Sequence, residues 1–179
     1  MKAALLIIDV QKLLCSGRDA AYDIEGVIAR INTLAARARA EDVPIIFVQH
    51  EEADGPLRAD SEDWQLDQRL IVRSEDIRVR KSGSDAFHGT ELASLLQARG
   101  IRRLIVCGLQ SEFCVDSTVR RALALGYPVE LVADGHSTVD NGVLTAAQIS
   151  AHHTATLANL ASYGPRVTPV PAAEIRLDR

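Results

Sequence analysis

A thiol, a carboxylate and an ammonium each stand just past an apolar run in this chain, at Cys114, Asp9 and Lys81. Cys114 is the most informative. Leu104 to Cys107 reads as a buried strand, Gly108-Leu109-Gln110-Ser111 as a turn, and a helix begins near Glu112. The thiol therefore falls on a first helical turn, facing unpaired backbone N–H groups and the positive end of a helix dipole. Such a setting commonly lowers a cysteine from its free value of about 8.5 by one to several units, which predicts a thiolate nucleophile at neutral pH. Asp9 and Lys81 are the other two reactive side chains that fall at strand ends. Taken singly, each residue has an ordinary explanation: a strand-end Asp caps helices, a Lys sits in solvent, and a Cys packs as a small hydrophobe, as Cys107 does inside its strand. The chemistry requires that the three converge.

The elements that would bring them together alternate along the chain. Lys2 to Ile8 is a continuous apolar run expected of a central strand covered on both faces, and Asp9 ends it. Ile24 to Ala40 carries apolar residues at helical spacing behind Asp23 as N-cap. Pro44 to Gln49 reads as a second strand, followed by a polar segment, Glu51 to Asp76, that is too long to be idle and holds the only tryptophan, Trp64. Ile77 to Val79 is a short third strand, and Gly89-Thr90-Glu91 opens a helix closed by Gly100. Arg103 to Cys107, Glu112 to Leu125 and Val129 to Val132 repeat the strand–helix–strand unit. A last helix covers about Val143 to Tyr163, and Arg166 to Val170 adds a sixth strand. Such alternation predicts an α/β protein: a three-layer α-β-α Rossmann-like fold with a mainly parallel sheet of five to six strands. In these sheets ligands bind beyond the carboxyl ends of the strands, where the strand order reverses. With the order 3-2-1-4-5-6, Asp9 and Cys114 meet at that point, and Lys81 must reach across from strand three.

Composition sets the limits. The 179 residues, 47% hydrophobic and 25% charged, fit a single domain over residues 1–179. A net charge of -4 with no Lys/Arg cluster gives no footprint for nucleic acid or an anionic bilayer. Met1 to Ile8 is too short for a signal peptide, and no stretch approaches the ~20 apolar residues of a membrane span, so a soluble, cytoplasmic protein is expected. Cys15, Cys107 and Cys114 form no CxxC pair and leave an odd one over, against both a disulfide framework and a zinc site.

The motifs, taken in order, are specific: LLIIDVQ (Leu5 to Gln11), IIFVQH (Ile45 to His50), RKSGSDAF (Arg80 to Phe87), the long run from Gly89 to Tyr127, and LVADGHST (Leu131 to Thr138). The chain resembles the isochorismatase-like cysteine hydrolases, the superfamily that includes nicotinamidases and N-carbamoyl amidohydrolases. That resemblance implies a catalytic triad at Asp9, Lys81 and Cys114. It also implies a cis peptide joining Leu109 to Gln110, an oxyanion hole from the backbone N–H groups of Gln110 and Cys114, no cofactor, and a homo-oligomer acting on a small molecule. Superfamily members that cleave the isochorismate vinyl ether lack a thiol at this position, so Cys114 points to C–N hydrolysis through a thioester. The segments FVQH, SDAFHGTEL, GLQSEFCVDSTVRRA and AAQISAHHTATL are similar to those of streptothricin-hydrolase-like members that open a lactam.

The remaining polar residues read more quietly. Nicotinamidases of the superfamily bind a divalent ion through an Asp and two His after strand two. Here that stretch offers His50, Glu51, Glu52 and Asp54 without the spacing, so it reads as a polar lip and no metal is expected. Ser111 suits an N-cap and Glu112 a first helical turn, while His152 and His153 sit inside the last helix, where packing or surface roles are usual. Trp64, Phe87 and Phe113 are the aromatics expected near the pocket, with core packing the alternative for Phe113. A nucleotide-binding module lacks its GxGxxG or GxxxxGK[ST] turn, and a serine hydrolase its GxSxG elbow. The remaining alternatives are a catalytically idle scaffold or interaction protein on the same fold and a vinyl-ether hydrolase of the isochorismate type.

Overall fold

The computed structural model describes residues 1–177. Its elements are β1 (Ala3–Ile8), α1 (Lys12–Cys15), α2 (Ile24–Ala40), β2 (Ile45–His50), β3 (Ile77–Lys81), α3 (Leu92–Ala98), β4 (Arg103–Leu109), a π-helical turn (Ser111–Val115), α4 (Asp116–Ala124), β5 (Val129–Ser137), α5 (Ala146–Ala158), β6 (Val167–Val170) and a short 3-10 turn (Ala172–Glu174). The sheet is all parallel in the order β3-β2-β1-β4-β5-β6. β1 lies at its middle, paired from Leu5 with Ile45 on one side and from Ala3 with Arg103 on the other.

Every residue of β1 is buried because successive side chains point to opposite faces and both faces are covered. Leu5 and Ile7 join the core under α2, whereas Ala4, Leu6 and Ile8 join the core under α3, α4 and Leu157 of α5. Asp23 does occupy the N-cap position of α2 but makes no capping bond: it takes a left-handed backbone, and its carboxylate accepts from Arg30 instead. A missing cap costs about 1 kcal/mol. The seven buried apolar residues of α2 gain about 1.5–3 kcal/mol each for the large side chains, so packing decides that helix.

Beyond the unread α1 and shifts of one or two residues at element ends, three elements depart from the sequence reading. β5 continues past Val132 through a polar stretch to Ser137, after its register against β4 shifts between Val106 and Gly108. Gly135 permits this, since a Cβ there would lie 2.6 Å from Val132 Cγ1. The last helix is shorter than expected because a capping box between Thr145 and Gln148 starts it, leaving Val143 exposed. The helix expected from Glu112 divides into the π-turn and α4.

The long segment after β2 is tied across the strand ends. Lys12 N donates to Gln65 O (2.8 Å), Leu13 N to Asp63 O (3.1 Å) and Asp67 N to Val10 O (3.0 Å). It therefore forms a fixed wall beside the residues that follow β1.

Candidate active site

Asp9 follows the last residue of β1 with φ +50, and its N–H still bonds Val48 O at 2.9 Å. Left-handed backbone at a non-glycine costs about 1–2 kcal/mol, and short polar side chains such as Asp bear it best. Here it ends β1 at the sheet's switch point. On the next strand, Gly108 has φ +113, and a Cβ there would sit 2.1 Å from Ile8 O. Only glycine lets β4 run that close to β1 at the point where the carboxylate and the thiol must approach.

Lys81, the last residue of β3, lies opposite His50 of β2 and extends over that strand. Its Nζ is 2.8 Å from Asp9 Oδ2 and 3.1 Å from Cys114 Sγ, and also contacts Gly83 O (3.1 Å) and His50 Nδ1 (3.3 Å). The Asp9 and Lys81 side chains are essentially closed to solvent, whereas Cys114 is only half-buried. Asp9 Oδ1 is buried with no hydrogen-bond partner. One oxygen of the carboxylate is thus fixed by the ammonium and the other remains open. The Leu109–Gln110 peptide is cis, and the Gln110 carbonyl accepts from Phe113 N (3.1 Å) and Val115 N (3.2 Å), closing the turn that carries the sulfur.

The electrostatics correct one expectation. Burial pushes the Cys114 thiol up to about 12, Asp9 pushes in the same direction, and Lys81 opposes them. The turn does not leave a standing thiolate, because desolvation and Asp9 outweigh the ammonium. Lys81 remains an ammonium: burial lowers its pKa, but Asp9 and then Cys114 raise it above the ordinary lysine value. At rest the centre holds a thiol beside an ion pair.

Gln11 ties the surrounding elements together. Its Nε2 donates to His50 O and Trp64 O, and its Oε1 accepts from His50 N, all at 2.9 Å. Gln49 Nε2 adds a bond to Trp64 O at 3.1 Å. Trp64 is buried beneath the Arg80 guanidinium, 5.2 Å from its ring centroid. Phe87 belongs to the core and stacks on Tyr127, so packing rather than the pocket claims it. Phe113 is 54% exposed, which overturns core packing for that ring. In the polar lip, Glu51 pairs with Arg80, Glu52 accepts from Leu57 N, and His50 faces the Lys81 ammonium. Among the described residues no group of three His, Cys, Asp or Glu side chains is placed to hold a metal ion.

An isochorismatase-domain profile matches residues 3–171. The chain belongs to the isochorismatase family. A crystal structure of an isochorismatase family protein shares 40% identity with a TM-score of 0.87, covering 94% of this chain and 98% of that one. An isochorismatase from Pseudomonas putida shares 32% with a TM-score of 0.89, covering 98% and 90%. Among curated proteins, a streptothricin hydrolase of Streptomyces noursei is 38% identical over 76% of this chain and 50% of its own length. The ureidoacrylate amidohydrolase RutB of Enterobacter sp. (strain 638) is 32% identical over 70% of each. This isochorismatase-family chain spans about half the length of the streptothricin hydrolases it matches.

A second cluster escaped the sequence. Ser111 is buried, and instead of capping a helix its Oγ lies 2.8 Å from His136 Nδ1 and 2.9 Å from Ser150 Oγ. His136 Nε2 in turn meets Thr154 Oγ1 at 2.9 Å. Glu112 accepts from Thr138 Oγ1 at 2.8 Å. The only clue was the motif LVADGHST itself, because nothing in a periodic reading extends β5 as far as His136. His153 pairs with Asp116 of α4 at 3.0 Å, while the His152 ring meets His153 edge-on.

No helix of the described residues is long and apolar enough to cross a membrane.

Proposed function

We propose that this chain is a cysteine hydrolase that cleaves a C–N bond of a small amide, lactam or carbamoyl compound through a thioester on Cys114. The observation that carries this reading is one ammonium in contact with both the sulfur and a carboxylate whose second oxygen is unpartnered.

A thiol that burial pushes well above neutrality is not a preformed nucleophile. Proton transfer must therefore accompany attack. Asp9 Oδ1 takes the thiol proton as Sγ bonds to the substrate carbonyl carbon, and Lys81 holds Asp9 Oδ2 in place. Backbone N–H groups of Gln110 and Cys114 receive the developing oxyanion, each worth about 3 kcal/mol of barrier. Asp9 returns its proton to the leaving nitrogen as the C–N bond breaks. Water, deprotonated by Asp9, then attacks the thioester, and the thiol is restored on release of the acid. Lys81 stays charged throughout.

The names of the relatives, a streptothricin hydrolase and a ureidoacrylate amidohydrolase, support a C–N substrate. The wall formed by residues 51–76, with Trp64 against Arg80, would select among them. Release of ammonia or amine from a panel of amides, lactams and carbamoyl compounds tests the reading. Turnover that disappears in C114A is expected. Full turnover by C114A, or cleavage of a vinyl ether alone, would sink it.

A further inference from the structure

The Ser111 cluster has a single consistent proton arrangement. The Thr154 hydroxyl donates to Ser150 O at 2.8 Å, so its oxygen can only accept at the His136 ring, which must carry its hydrogen on Nε2. Nδ1 is then bare and accepts from the Ser111 hydroxyl, whose oxygen in turn accepts from Ser150 Oγ. The bonds run one way, from Ser150 to Ser111 to His136 to Thr154, and close on the Ser150 carbonyl. Each member polarises the next, and each is satisfied. The ring spans β5, α5 and the π-turn, and Ser111 is the first residue of that turn, directly after Gln110.

We propose that His136 is a positioning residue: as the neutral Nε2–H tautomer it holds the Ser111 hydroxyl, and so fixes the turn that aims Gln110 N–H and the Cys114 sulfur. The inference rests on the cysteine-hydrolase reading above. A charged imidazole would place a proton on Nδ1, so that Ser111 would have to accept there and turn its hydroxyl to Ser150, and the one-way run of bonds would be lost. The surroundings hold it neutral: burial first, then His153 of α5, keep the ring down at about 4, against the opposing pull of Asp134 on β5. Asp116 of α4 is turned to His153 and Arg120, and Glu112 on the turn to Thr138.

Two substitutions divide the ring's two bonds. Asn at 136 keeps an acceptor near the Nδ1 position for Ser111 and loses the donor to Thr154; Gln keeps the donor and loses the acceptor. With a substrate that the wild type hydrolyses, H136Q and S111A should each lower kcat by about 10- to 100-fold with KM within about twofold, since small misplacements of reacting atoms act on the chemical step. H136N should restore most of it, and S111A/H136Q should be no worse than either single variant, because both remove one bond. Iodoacetamide labelling of Cys114 should follow the same order. Melting temperatures of all variants accompany these measurements. Equal losses in H136N and H136Q that track their melting temperatures, additive losses in the double variant, or wild-type kinetics and labelling in S111A would overturn the proposal. Should the wild type hydrolyse no C–N substrate, the functional reading falls by itself, and the labelling order still decides the role of His136.

Discussion

Two places among the described residues hold a cysteine, an aspartate and a cation. Cys15 lies beside Asp67 and Arg69, and Cys114 beside Asp9 and Lys81. Both thiols are pushed up to about 12, by burial first and by their aspartate second, with the cation opposing. Cys15 even borders a cavity of about 650 Å³. The difference lies in what each polar group has left to offer. Asp67 is saturated: Oδ1 accepts from Arg69 N and Nε, and Oδ2 from its Nη2. Arg69 spends its remaining contact on the Cys15 carbonyl at 2.7 Å, not on the sulfur, which is buried. At the other trio the cation touches the sulfur itself, the cysteine is only half-buried, and one carboxylate oxygen is without a partner. Residue type and proximity alone do not make a site; unspent bonding capacity does.

The contrast can be broken in several ways. The largest effect is expected from the nucleophile: C114A should lower kcat by at least about 10^3-fold, whereas C15A should change it by less than about threefold, both read in steady-state kinetics. Next comes the carboxylate. D9N should cost about 10^2- to 10^4-fold in kcat with the fold retained, as the loss of a general base does. D67N should leave kcat nearly unchanged and lower stability by about 1–3 kcal/mol in a denaturant titration, since it loosens buried charged hydrogen bonds. Equal kinetic effects at positions 9 and 67 would erase the distinction.

Alkylation sharpens it further. Iodoacetamide at neutral pH should label Cys114 well ahead of Cys15 and Cys107, because only Cys114 is accessible. With its thiol at about 12, the labelling rate should climb by about tenfold per pH unit from neutral to about pH 10 without levelling. A plateau near neutrality would show a standing thiolate and would replace the coupled proton transfer derived above. The smallest effect belongs to the saturated pair. Asp67 is held below the ordinary carboxylate value, burial opposing and the Arg69 hydrogen bonds prevailing. Its contribution to stability is therefore present above that ordinary value and is lost as pH falls through the lowered one. R69M should remove about 1 kcal/mol of it, visible as a flatter acid-unfolding curve, the half-exposed guanidinium being screened by solvent.

Much of this was legible in the sequence because its signals are local. Apolar runs such as Ala3–Ile8 and Leu104–Cys107 can only be doubly covered strands, and their alternation with helices leads to a parallel sheet. The order then places Asp9, Cys114 and the long reach of Lys81 together. The features that escaped depend on tertiary partners. α1 is four residues long and carries no periodicity. The end of β5 reads as a loop until β4 pairs with it past the register shift, so His136 had no assigned place. Ser111 looked like a cap because a hydroxyl before a helix usually is one, and only the approach of β5 and α5 gives it other bonds. The thiol was misjudged for a similar reason: a helix terminus is visible in sequence, whereas the desolvation that pushes the thiol up is not.

The ammonium of the active centre comes from the rim of the sheet. β3 has a neighbour only in β2, and Lys81 spans that neighbour to reach its partners. Fraying of an outermost strand takes far less energy than global melting. Mild heat or denaturant should therefore silence the proposed hydrolysis while fluorescence and ellipticity still report a native protein, so that the candidate centre acts as an early gauge of wear at the sheet's border.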